Sequence, residues 1–138
     1  MSYLLDTNVV SEFVKARPSP QLALWLDATS EDELYLSVVT VAELRFGIES
    51  MPRGQRRDAL MIWLYDQLIQ RFERRILAVD QAVAEAWGVV MGRARKAGRP
   101  MAAMDGIFAA SSEVHGLTLV TRDARDFQGA GISLLSPW

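Results

Sequence analysis

A chain of 138 residues, half of them hydrophobic and 23% charged, is long enough to bury one substantial core and too short for two ordinary domains. It has no cysteine and a single histidine, which excludes disulfides, thiol catalysis, cysteine-bound zinc and any multi-histidine metal site. The net charge of −2 supplies no general excess of cations for an anionic polymer, yet thirteen of the fifteen cations are arginines, and many cluster: Arg53, Arg56 and Arg57; Arg71, Arg74 and Arg75; Arg93, Arg95, Lys96 and Arg99.

Along the chain, Tyr3-Leu4-Leu5 reads as a buried strand that ends on Asp6-Thr7-Asn8, residues that favour turns and helix starts. Ser19 and Pro20 can cap and open a helix carrying Leu22, Leu24, Trp25 and Leu26. Tyr35 to Val39 is a second strand, and the Thr40-x-x-Glu43 spacing predicts a capping box at the start of the next helix. After the break at Met51–Gly54, Leu60, Leu64, Leu68 and Phe72 recur at helical spacing, so a long amphipathic helix is expected over Gln55 to Glu73. Ile76 to Val79 is a third strand, with Asp80 capping a helix that stops near Gly98 and Pro100. A helix over Ala103 to Val114 ends at Gly116, leaving His115 as a surface residue near its end. Leu117 to Thr121 is a fourth strand, and Ile132 to Leu135 a fifth. Strands and helices alternate throughout, which implies a three-layer α/β/α domain over 1–138 with a central parallel sheet of four to five strands. No apolar run reaches the roughly 20 residues of a bilayer span and no secretory pattern opens the chain, so a cytoplasmic location is expected.

In such a sheet, ligands collect outside the carboxyl ends of the strands. Asp6 follows the first strand there, and Asp123 follows the fourth. Glu43 lies one turn into the helix after the second strand, and Asp105 in the first turns of the helix before the fourth. Each acid taken singly has a structural explanation as a capping, turn or helix-dipole residue. Together, four separate elements deliver a carboxylate to one edge. Carboxylates about 4 Å apart repel by roughly 1 to 4 kcal/mol per pair, a cost that a bound cation removes. Oxygen ligands without histidine or cysteine favour Mg2+, with Mn2+ as substitute, and phosphodiester hydrolysis through a metal-activated water then needs no side-chain nucleophile.

The segments Leu4-Leu5-Asp6-Thr7-Asn8, Val41-Ala42-Glu43-Leu44 with Gly47-Ile48, Asp105 to Ala109, and Leu119-Val120-Thr121-Arg122-Asp123 with Asp126-Phe127 resemble, in order and spacing, those of PIN-domain ribonucleases, most of all the VapC-type toxins of bacterial toxin–antitoxin pairs and their FitB-like branch. The resemblance covers nearly the whole chain. It implies that Asp6, Glu43, Asp105 and Asp123 bind metal and that Thr7, Asn8 and Thr121 support them, with many relatives carrying Asn at the position of Asp123. It also implies Mg2+-dependent endonucleolytic cutting of RNA, a homodimer and inhibition by a cognate antitoxin. The helix after Asp6 and the long helix from Gln55 would wall the groove that receives the antitoxin, and Asp126 would brace a turn before Phe127.

Two rival classes make other demands. Phosphoaspartate enzymes need further acidic and lysine partners; Asn8 stands where the phosphatases want an Asp, and neither Lys15 nor Lys96 follows a late strand. A catalytically silent binding module of the same fold would gain stability by losing some of the acids, and metal titration separates it from an enzyme.

Overall fold

The apolar run Tyr3–Leu5 forms β1, the centre of the sheet in the computed structural model, which describes residues 1–138. β2 (Leu34–Ser37) pairs with one edge of β1 and β4 (Thr118–Val120) with the other, while β3 (Ile76–Leu77) and β5 (Leu134–Leu135) lie outermost. The order is β3-β2-β1-β4-β5 and every pairing is parallel.

Because side chains alternate across a strand, neighbouring residues feed opposite faces of the sheet. Leu4 and Leu119 enter one buried cluster with Val90, Phe108 and Phe127. Leu5 and Val120 enter the other, with Leu36, Leu64 and Phe72. The sheet is therefore the middle of three layers. α6 (Gln81–Lys96) and α7 (Ala103–His115) cover the first face, and α1 (Thr7–Val10), α2 (Pro20–Asp27) and α4 (Gln55–Ile62) the second. α3 (Val38–Glu49) sends Val39 into the first cluster and Ile48 into the second, so it crosses from one layer to the other with Glu43 near its middle.

The expected caps form at Ser19, whose Oγ accepts from Leu22 N at 3.3 Å, and at Asp80, whose Oδ1 accepts from Val83 N at 3.0 Å. Gly116 ends α7 at φ 65°, a conformation that favours a residue without a Cβ. The capping box at Thr40 and Glu43 does not form. Ser37 caps α3 instead, its Oγ accepting from Val39 N at 3.0 Å, so the helix is wound before Thr40 and the second strand stops at Ser37 rather than Val39. A box requires its Thr to stay in the extended conformation outside the helix, and Ser37 takes that place first.

The helix begun at Gln55 continues through a π-helical stretch, Trp63–Leu68, into α5 (Ile69–Arg71). Residues four apart drift by about 40° per step around an α-helix. Leu64, Leu68 and Phe72 are nonetheless all fully buried, and the wider turn offsets part of that drift.

Much of the arginine clustering is structural. Arg71 forks onto Glu31 at 2.6 and 2.8 Å, Arg57 meets Glu49 at 2.9 Å, and Arg93 meets Glu113 at 3.0 Å. Arg75 Nη1 donates to the carbonyls of Glu31 and Leu34 at 2.7 and 2.6 Å, tying the end of the long helix to the start of β2. Its Nη2 also donates to Arg71 O at 2.9 Å, and lysine, with one nitrogen, cannot serve both sides, so Arg75→Lys is expected to cost about 1–3 kcal/mol, read as a lower midpoint in chemical denaturation. An unchanged midpoint would show that this anchor is dispensable.

Candidate metal centre

β1 has β2 on one side and β4 on the other, so the chain leaves their carboxyl ends in different directions and opens a crevice there. Asp6 stands at the end of β1, and Asp123 follows β4. Each precedes a helical segment, yet neither side chain makes a capping hydrogen bond, which removes the structural explanation for both. Their bonds run to each other's loops instead. Thr121 Oγ1 donates to Asp6 Oδ2 at 2.8 Å and accepts from Asp123 N at 3.1 Å. The Asn8 amide nitrogen lies 3.4 Å from Asp6 Oδ2, 3.4 Å from Thr121 Oγ1 and 3.2 Å from Asp123 Oδ2, while its oxygen accepts from Arg122 N at 3.2 Å. Asn8 and Thr121 thereby stitch the ends of two strands together and aim two carboxylates.

Glu43, freed from capping, accepts from Thr7 Oγ1 at 2.6 Å, and Thr40 lies 3.0 Å from the same hydroxyl. Since Thr7 has one hydroxyl proton and gives it to Glu43, Thr40 is the donor to Thr7. Asp105, in the first turn of α7, is half-buried and receives no hydrogen bond.

The electrostatics record the convergence. Burial pushes the Asp105 carboxyl up to about 6, and Asp6, Asp126, Glu43 and Asp123 push in the same direction. Asp6 is also raised, chiefly by burial and then by Glu43 and Asp123, against the lowering effect of its bonds from Thr121 and the Thr7 backbone. Asp6, Glu43 and Asp123 thus all act on Asp105, and Glu43 and Asp123 also act on Asp6. As the side chains stand, no three of them come together closely enough to hold an ion. Uncompensated carboxylates repel, and three of them are engaged by neighbouring donors instead, Glu43 by Thr7, Asp6 by Thr121 and Asp123 by Asn8. The donor set is oxygen throughout. His115, at the far end of α7, lies about 15 Å along the helix from Asp105. These residues fit a hard divalent cation such as Mg2+ or Mn2+.

Asp126 is more than a turn residue. Its N–H does donate to Asp123 O at 2.9 Å, but its side chain lines a cavity of about 380 Å3 together with Asp105. The signal was present in the sequence: three residues after Asp123 is one turn of the 3-10 helix Ala124–Ala130, which returns to the same face. A second cavity, of about 390 Å3, opens beside Glu43 and Thr7 and is walled by α3 at Leu44, by Met51 in the connection that follows, and by the long helix at Leu60 and Trp63.

The PIN domain family profile matches residues 3–131. The chain belongs to the PIN-domain family. This PIN domain is 38% identical to "VapC ribonuclease Y4jK" of Sinorhizobium fredii, over 98% of the chain and 96% of that protein. It is 37% identical to "Toxin FitB" of Neisseria gonorrhoeae, over 98% of the chain and 97% of the toxin. Among solved structures, it superposes on a chain of FitAB bound to an IR36 DNA fragment with a TM-score of 0.94 at 34% identity, covering 99% of this chain and 95% of that one. No helix of this PIN domain is long and apolar enough to cross a membrane.

Proposed function

We propose that this PIN domain, acting as one unit over 1–138, is a divalent-metal-dependent endoribonuclease and the toxin of a toxin–antitoxin pair, with Mg2+ as its metal and Mn2+ as substitute. The observation that carries the reading is the meeting of Asp6, Glu43, Asp105 and Asp123, from four elements, in one electrostatic neighbourhood where burial raises two of them. Names of relatives as a VapC ribonuclease and a toxin support it.

Asp6, Glu43, Asp105 and Asp123 would hold the cation, which when bound supplies a Lewis acid for the phosphate and a water of lowered pKa. Thr121 and Asn8 orient Asp6 and Asp123, and Thr7 orients Glu43, so these carboxylates are positioned before substrate arrives. Asp105, without a hydrogen bond, is the acid free to turn toward the cation. It must lose its proton to do so.

The partners follow the same reading: RNA as substrate, a cognate antitoxin as inhibitor and a second copy of the chain in a homodimer, within a larger assembly in the cytoplasm. The half-apolar cavity beside Glu43 suits an antitoxin peptide, because Leu44, Met51, Leu60 and Trp63 offer apolar contacts and Glu43 can receive an inserted Arg. Structures of FitAB and VapBC complexes support such a partner.

Purified chain, free of antitoxin, is expected to cut cellular RNA in Mn2+ and not in chelator, and Asp6→Asn is expected to lose more than about 100-fold of that activity. Absence of both cutting and metal-induced stabilisation would turn the assignment to a catalytically silent module that acts through a regulator.

A further inference from the structure

The nuclease reading leaves an electrostatic problem. RNA carries a negative charge at each phosphate, while this chain is acidic overall and gathers carboxylates at its site. The cavity beside Asp105 contains an answer. Arg99 reaches it from the connection between α6 and α7, and Arg125 from the 3-10 segment Ala124–Ala130. Gly129 brings these two stretches together: a Cβ there would stand 2.7 Å from the Arg99 carbonyl oxygen and 2.9 Å from its Cβ. Arg99 Nη1 also donates to Gln128 Oε1, which holds the guanidinium over the same segment.

Unlike Arg45, Arg57, Arg71, Arg75 and Arg93, neither Arg99 nor Arg125 forms an ion pair, although Asp105 and Asp126 line the same cavity. The two cations thus stay available beside an acid of the metal centre. At about 380 Å3 the space is large enough to take a phosphodiester group. Guanidinium forks match phosphate oxygens.

We propose that Arg99 and Arg125 together bind a backbone phosphate of the RNA strand next to the one that is cut, so that the strand enters the acidic site from the side of Asp105. This inference rests on the nuclease reading. It divides the two cavities, RNA backbone beside Asp105 and antitoxin peptide beside Glu43.

The test measures binding of a fluorescent single-stranded oligouridylate to the full chain in Ca2+, with the RNA checked to be intact, across a range of salt. The double variant Arg99→Gln/Arg125→Gln is expected to bind about tenfold more weakly. Its slope of log affinity against log salt should be shallower by about 0.7, the value for one phosphate on a single strand. Arg53→Gln/Arg74→Gln makes the same charge change at exposed positions outside the cavity and is expected to keep the wild-type slope. An unchanged slope in the cavity variant, an equal change in the control, or no binding by the wild type would overturn the proposal. Loss of antitoxin binding with the RNA slope intact would also overturn it, assigning the cavity to a protein partner. Cleavage in Mn2+ is scored separately: a chain that cuts RNA while its salt slope ignores both arginines sinks the phosphate site alone, and a chain that binds through them but never cuts sinks the nuclease reading alone.

Discussion

Asp105→Asn is expected to raise the stability of the metal-free protein and to remove more than about 100-fold of its cleavage activity, opposite effects from one substitution. The Asp105 carboxyl sits at about 6 in the fold against 3.8 ordinarily, because burial and then Asp6, Asp126, Glu43 and Asp123 disfavour its charge. Between those values the folded chain holds a proton that the unfolded chain has lost, so wild-type stability falls as pH rises from about 4 to about 6. At about 1.4 kcal/mol per pH unit the full cost would approach 3 kcal/mol, and the half-exposed position reduces it to roughly 1–2 kcal/mol. Asparagine carries no charge at any of these pH values. In chelator, the variant should therefore melt several degrees above wild type at neutral pH, with the gap closing below about pH 4. Mn2+ should reverse the order, since it stabilises only the chain that can bind it. Its effect on wild type should weaken as pH drops through about 6, where the proton competes for Asp105. A variant that melts at or below wild type at neutral pH in chelator would remove the electrostatic case for a clustered acidic site.

Gly106→Ala tests how that acid is held in place. In an exposed helix, alanine would stabilise by nearly 1 kcal/mol over glycine. Here a Cβ would lie 2.5 Å from Met91 Sδ and 2.8 Å from Trp87 Nε1, so α6 and α7 would have to separate. Trp87 cannot simply swing aside, because its Nε1 donates to Ala103 O at 2.9 Å and anchors the first turn of α7, two residues before Asp105. Overpacking of this kind costs about 1–3 kcal/mol, which outweighs the gain in helix propensity. Thermal melts should show net destabilisation of about 1–2 kcal/mol, and cleavage should fall with it because Asp105 shifts away from Asp6 and Glu43. A variant as stable and active as wild type would mean that the helix contact does not position the acid.

The order of elements, the five strands and their parallel sense were legible in the sequence because local signals agreed with one another: short branched strands, Ser19 and Asp80 at helix starts, Gly116 at a helix end. The four candidate acids were legible as neighbours. Asp6, Glu43, Asp105 and Asp123 each follow or precede a strand at the carboxyl edge, so the topology alone brings them near one another. Local signals failed where two residues competed for one task. Ser37 and Thr40 both suit a cap, and the tertiary setting gave the cap to Ser37, leaving Thr40 to reach Thr7 and Glu43 to face the crevice.

What the sequence by itself determined is the alternating α/β pattern, the supply of carboxylates as candidate ligands at one sheet edge and the absence of any thiol or multi-histidine chemistry, since these depend on residue types and their spacing. Only the tertiary structure decided which acids are buried, which hydroxyls and amides aim them, that Asp126 shares a cavity with Asp105, and that Arg99 and Arg125 form no ion pair while Arg71, Arg75 and Arg93 are used in the scaffold. Burial and pairing are properties of contacts between distant segments, such as Asn8 with Thr121 or Arg99 with Gly129, and no local pattern along the chain encodes them.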